Sequence, residues 1–228
     1  MTRRAIVDVV TTLVGSGLVL SALVIIWIAR LTIPRDIYVS ELGATGMPTA
    51  RTFEIALLLI VAGGSLIAFA GRNIRSRVRI LAAWTPAVSL WIACGFFLVA
   101  SQVTCTSGCP LPYGSTFDWQ DLTHITCATF AFVAACWAML QTALAENHRT
   151  LARFSLWTGV AVGVIAGVGG LCSLTNFQAN FGSRLELVAT TLAIAWVAVL
   201  GVSIAARRLR AHRPDIRASR RLASPTSM

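Results

Sequence analysis

The chain contains no lysine: all 19 of its basic residues are arginine, a bias that fits a GC-rich genome and carries no functional signal. Charge is scarce altogether. Only 12% of the 228 residues are charged, with nine acids and three histidines, while 56% are hydrophobic. A soluble domain of this size has no core large enough to hide so much apolar surface, so lipid must solvate much of the chain. The formal charge of +10 raises the question of nucleic acid, but that partner demands a basic face interleaved with aromatics on a soluble surface. Here the arginines bracket apolar runs instead, so no nucleic-acid partner is expected.

What the sequence has is a series of apolar runs near bilayer length, at 6–29, 53–71, 80–101, 122–145, 151–173 and 185–206. A helix needs roughly 20 mostly apolar residues to cross the hydrocarbon layer. The expected fold is therefore all-α, a polytopic membrane bundle of six transmembrane helices forming one domain over residues 1–206. The segment 207–228 is polar, rich in Arg, Ser and Pro, and lacks apolar periodicity; it reads as a disordered cytoplasmic tail near anionic lipid. Placing residue 1 inside puts 15 arginines on the cytoplasmic side and four, Arg30, Arg35, Arg51 and Arg184, on the other, so both termini are expected to be cytoplasmic. The first run follows Thr2, Arg3 and Arg4. It is too long for a secretory signal and has no small-x-small cleavage site before Arg30, so a retained anchor is expected. Trp27 and Trp119 on one side, and Trp84 and Trp157 on the other, fall where amphipathic rings favour the interface. The expected location is the bacterial cytoplasmic (inner) membrane, multi-pass.

Gly159, Gly163 and Gly167 leave one face of the fifth span bare, which lets another helix approach closely, inside the bundle or across a dimer seam. Gly64 and Ala68 offer a shorter version. Pro86, after Thr85, is expected to kink the third span. In the loop before the fourth span, Cys105 and Cys109 flank a turn-forming Gly108 and are followed by Pro110, a pattern expected to close a local disulfide in an oxidising compartment. A thiol-redox centre is the alternative, with Cys127 and Cys172 near helix ends on the same side. The spacing is not Cys-x-x-Cys, however, and Cys94 and Cys136 read as buried apolar positions.

Asp118, Asp121 and His124 step by three into the fourth span, sharing one face at the membrane boundary. An ionisable residue inside a membrane is costly without a partner, which makes His124 a candidate functional residue with Asp121 as its partner. The other two helices entering from that side open similarly, with Arg51 and Glu54 on the second span and Arg184 and Glu186 on the sixth. With Glu41 from the first outer loop, these residues could form one outward-facing polar cup. Alternatively, the acids complement helix N-termini and the arginines reach for headgroups.

These residues resemble a known family, the bacterial membrane proteins grouped as domain of unknown function 998. The resemblance spans the bundle and rests on Ser40-Glu41-Leu42-Gly43, on Cys105 to Pro110 with the later Asp121-Leu-Thr-His124, and on Gly182-Ser-Arg184-Leu-Glu186. It implies a six-helix bundle with polar motifs gathered on the outer face, and is more distantly similar to DRAM-type membrane proteins of eukaryotes. A second His or an Asn near His124 or Glu54, expected in relatives, is absent here. The resemblance supplies no activity.

The reading favoured by these residues is a non-enzymatic protein that binds a membrane lipid, a lipid-like ligand or a membrane partner through the cup. Arg51 and Arg184 would hold an anionic headgroup, and Glu41, Glu54, Asp121, His124 and Glu186 would orient them or meet hydroxyls. The alternative is an intramembrane hydrolase or transferase with His124 as general base and Asp121 fixing its tautomer. One histidine with scattered carboxylates is an atypical zinc set, and no metal or cofactor is expected. Transport would place ionisable groups near mid-span, where Leu, Val, Ala, Ile and Gly dominate. A homo-oligomer, or a complex with another membrane protein, is compatible with the glycine face.

Overall fold

The computed structural model describes residues 3–112, 114–145, 149–175 and 178–222. Among them are six α-helices and no strand: α1 (Arg3–Thr32), α2 (Ala50–Ala70), α3 (Pro86–Gln102), α4 (Trp119–Ala143), α5 (Arg149–Leu174) and α6 (Ala179–Leu222). Five are long and apolar enough to cross a membrane, and α3 is a shorter apolar helix. Their outer faces carry Val10, Val24, Val164, Leu171 and Leu174, each more than half exposed. Such surfaces are stable against lipid and not against water. The chain is a multi-pass membrane protein.

The helices form a closed ring. Each packs on its neighbours in the chain, α1 closes against α6, and α2 also touches α6. Buried Asp8 at the start of α1 pairs with Arg208 of α6 at 3.2 Å and lies 3.7 Å from Arg72, which follows α2. The beginning of α1 and the end of α6 therefore share one end of the bundle. The loop carrying Cys105 and Cys109 is at the other.

The tightest helix crossing is between α1 and α2, where Gly15 and Gly63 pack backbone on backbone. A Cβ added at Gly63 would lie 2.6 Å from the Gly15 carbonyl oxygen, and one at Gly15 would lie 2.8 Å from that of Gly63. Polar ties reinforce the α1–α6 closure: the Ser16 hydroxyl donates to the Ala198 carbonyl at 3.2 Å, and the Trp27 indole donates to Thr191 at 3.1 Å. Fully buried Trp196 donates from α6 to Ser155 of α5 at 2.9 Å.

Three sequence expectations change. The third helix starts at Pro86 rather than near residue 80, so Pro86 sits at the first helical position and does not kink the span. Its fixed φ and missing N–H suit that position, where the amide has no intrahelical acceptor. The preceding turns are held instead by buried Gln141 of α4, whose amide donates to the carbonyls of Leu81 and Trp84 and accepts from Ser89. At the other terminus, α6 continues to Leu222, so the segment read as tail begins as helix, tethered through Arg208 to Asp8. Residues 223–228 lie outside the described residues.

The glycine face of α5 also departs from internal packing. Gly159 does meet Met139 of α4, with a Cβ there only 3.1 Å from the Met139 Cβ, but Gly163 and Gly167 face open space. Gly159 faces α4, whereas Gly163 and Gly167 lie on an exposed face of α5. Gly159→Leu should therefore lower thermal stability in detergent, whereas Gly163→Leu and Gly167→Leu should leave it unchanged or raise it slightly. Leucine is a better helix former than glycine by up to about 1 kcal/mol. Equal loss at all three positions would show that α4 and α5 pack along their full length.

Candidate functional site

Helices α1, α2, α3, α4 and α6 line a cavity of about 80 Å³. Its walls are almost wholly apolar: Val19 and Ile26, Phe53 and Leu57, Leu90 and Phe97, Phe132 and Ala135, and Ala193 and Ile194 come from the five helices in turn. Apolar walls suit hydrocarbon and not water, which needs two to four polar partners. Four of its polar side chains lie toward the Cys105 end: His124, Glu186, Ser40 and Thr190.

His124 is buried, 3% exposed, and its Nδ1 lies 3.0 Å from the Ala100 carbonyl oxygen and 2.7 Å from that of Val103. Both acceptors are carbonyls, so Nδ1 must carry the proton and donate, which satisfies free carbonyls at the C-terminal end of α3. Nε2 is left as the ring nitrogen available to the cavity. The tautomer is thus set by α3 and not by Asp121. Asp121 points elsewhere: one carboxylate oxygen accepts from the Thr106 amide and the other from the Thr106 hydroxyl, each at 2.7 Å. It is fully buried, and among the described residues no salt bridge reaches it. Two strong donors and the positive N-terminal end of α4 hold the charge there.

Asp121 therefore fastens the disulfide loop. Cys105 and Cys109 are bonded to each other, Thr45 donates its amide and hydroxyl to the Cys105 carbonyl at 2.9 and 3.1 Å, and Gln120 donates to the Thr104 carbonyl at 2.7 Å. Gly108, at φ 82°, supplies the left-handed turn that brings the cysteines together. Asp121 and the two cysteines place one ligand atom each within 4.8 Å of one another. Bonded sulfurs offer no thiolate to a metal, and Asp121 is taken by Thr106.

Glu186 lines the cavity from α6, and its carboxylate accepts the Val39 amide at 2.7 Å, at the start of a short 3-10 helix, Ser40–Gly43. One turn earlier, Gly182 is required because a Cβ there would lie 2.6 Å from the Tyr38 hydroxyl. Burial pushes the Tyr38 phenol above its ordinary pKa. Arg184 leaves the cavity for the surface and donates twice to Asp36, at 2.8 and 3.1 Å, while the other oxygen of Asp36 accepts from Arg30 at 2.5 Å.

The remaining residues of the expected cup form local ion pairs. Arg51 and Glu54 form a local pair at 2.8 Å on α2, with Arg51 largely exposed. Glu41, buried, pairs with Arg35 at 2.8 Å. Of the seven cup residues, His124 and Glu186 reach the cavity. Asp36 and Asp8 were missed by sequence reasoning. Asp36 directly follows Arg35 in the loop after α1, and Asp8 is an acid just inside the first apolar run; an acid at that depth is itself a signal, since it requires a partner.

The three motifs that carried the family resemblance meet at this end. Ser40 to Gly43 receives Glu186, Gly182 and Arg184 dock on Tyr38 and Asp36, and the cysteine loop is clasped by Asp121. No curated protein and no solved structure matches the chain. The family model described as "Protein of unknown function (DUF998)" matches residues 13–203, and the chain belongs to that family.

Proposed function

We propose that this protein binds a lipid-like ligand at the bundle, a short stretch of its apolar part entering the cavity and its polar end near His124 and Glu186. The observation that carries this reading is an apolar space, lined by five helices, that is reached by two ionisable groups, buried His124 and half-buried Glu186. Ionisable side chains are expensive in hydrocarbon and are retained where they serve a ligand or a path. On the arginine asymmetry, that end faces outward. The hydrolase reading loses support because Asp121 engages Thr106 and leaves His124 without a carboxylate partner on Nδ1.

The test is native mass spectrometry of protein purified in mild detergent. A bound lipid-like mass is expected on the wild type and should be lost from Ala193→Phe, which fills the cavity from α6. Retention of the same mass on Ala193→Phe, with the fold intact, would place the ligand elsewhere and overturn the reading.

A further inference from the structure

The opposite end of the bundle, where α1 begins and α2 ends, carries a cluster of a different kind. Two guanidiniums share one acid there: Arg72 lies 3.7 Å from one carboxylate oxygen of Asp8, and Arg208 lies 3.2 Å from the other. Asp8 is buried, while both arginine side chains reach the surface. One negative charge against two positive ones leaves the cluster positive. At 3.7 Å Arg72 is too far from Asp8 for a hydrogen bond, and of its five N–H donors one goes to the Phe69 carbonyl at 2.6 Å. Charge and donors are both left over for an anion.

The surroundings point to the kind of anion. The Arg72 guanidinium stands 4.4 Å over the ring of Phe69, an exposed side chain in the last turn of α2. That ring faces lipid, so the guanidinium above it stands at the headgroup layer. The connection to α3 carries Ile80, 79% exposed, and exposed Trp84, interleaved with exposed Arg75 and Arg79. Helix α3 has 17 residues, about 25 Å at 1.5 Å each, which falls short of a hydrocarbon layer of about 30 Å. The connection therefore lies within the interfacial layer, where apolar side chains meet acyl chains and arginines meet phosphates. A purely soluble anion would leave Ile80 in water. Arg75, Arg79 and Arg210 form no ion pair among the described residues, so they add to the positive field at this end. Only Arg72 and Arg208 are brought together by a shared carboxylate.

We infer that Arg72 and Arg208 hold the headgroup phosphate of an anionic phospholipid at this end of the bundle, with Asp8 keeping the two guanidiniums side by side. Guanidinium forks match phosphate oxygens and bond to them in pairs. The contact is separate from the cavity, which none of the three residues lines.

The test titrates the full-length protein in mild detergent with phosphatidylglycerol and phosphatidylcholine of identical chains, and reads bound lipid by native mass spectrometry. Phosphatidylglycerol is expected to bind the wild type about tenfold more tightly than phosphatidylcholine. Arg72→Gln combined with Arg208→Gln should remove that preference, whereas Arg75→Gln combined with Arg79→Gln should reduce it less. Asp8→Asn keeps an oxygen for a guanidinium and removes the competing charge, so it should strengthen the preference. Ala193→Phe should leave it unchanged, so this contact and cavity binding can fail separately. Equal binding of the two lipids by the wild type, or equal losses in the two arginine pairs, overturns the inference. Displacement of the lipid by inorganic phosphate would show that the arginines take a free anion, and also overturns it. If the Arg72 and Arg208 double variant fails to fold, Asp8→Asn decides: unchanged or weaker binding of phosphatidylglycerol overturns the inference.

Discussion

Gly63→Val is expected to unfold the protein in mild detergent, or to prevent its accumulation, while Gly17→Ala two residues from the same crossing should leave it intact. At Gly63 the nearest atom to an added Cβ is a backbone oxygen, that of Gly15, at 2.6 Å, with Val19 Cγ1 at 2.9 Å and Leu18 Cβ at 3.0 Å. A side chain can rotate away from a clash; a backbone carbonyl inside a helix cannot. The two helices would have to part, and the damage would spread, because α1 also carries the Ser16 and Trp27 bonds to α6 and contributes Val19 and Ile26 to the cavity wall. Overpacking commonly costs about 1–3 kcal/mol, and a branched side chain against backbone belongs at or above the top of that range. Gly17 has nothing within 4 Å, so alanine there gains helix propensity of up to about 1 kcal/mol without a clash. Thermal unfolding of the pair by intrinsic fluorescence gives the contrast. Similar melting temperatures for the two variants would mean that α1 and α2 do not pack at Gly15 and Gly63.

The second large effect is expected at Asp121. Replacing it with alanine strands the partly buried Thr106 amide and removes two short charge-assisted bonds. Bonds to charged groups contribute about 1.5–3 kcal/mol each, so a loss of about 3–5 kcal/mol is expected. Asp121→Asn keeps an acceptor for the Thr106 amide and turns its own amide toward the Thr106 hydroxyl, which can accept in turn, but it loses the charge, so it should fall between wild type and alanine. A second readout separates loop anchoring from general instability: the rate at which a water-soluble reductant opens the Cys105–Cys109 bond should rise in Asp121→Ala at temperatures where the fold persists. If His124 rather than Thr106 depended on Asp121, that rate would stay at the wild-type value. Thr106→Val, which keeps the amide and loses the hydroxyl, should reproduce part of the effect.

Much of this architecture could be read in one dimension. Apolar runs of bilayer length mark helices because hydrocarbon forces every backbone amide to bond within its own segment, and that constraint leaves few alternatives. Where the reading failed, a local feature had two outcomes that neighbours decide. Leu81 to Trp84 are apolar enough to extend a span, yet Gln141 holds them as turns and Pro86 starts the helix. Gly159 and Gly163 are equivalent by spacing, yet α4 meets one and not the other.

The candidate site divides in the same way. An acid in the first turns of a helix looks alike in sequence whether it clasps a loop, pairs with an arginine or faces a ligand. Asp121 does the first, Glu54 the second, and Glu186 lines the cavity while binding Val39. The sequence by itself determined that this protein lives in a membrane, how many helices it has and which family it resembles, because lipid solvation acts on each segment independently. Only the tertiary structure decided which ionisable groups face the cavity. Those roles depend on contacts between residues some 147 or 148 positions apart, such as Glu186 with Val39 and Arg184 with Asp36, which no local pattern encodes.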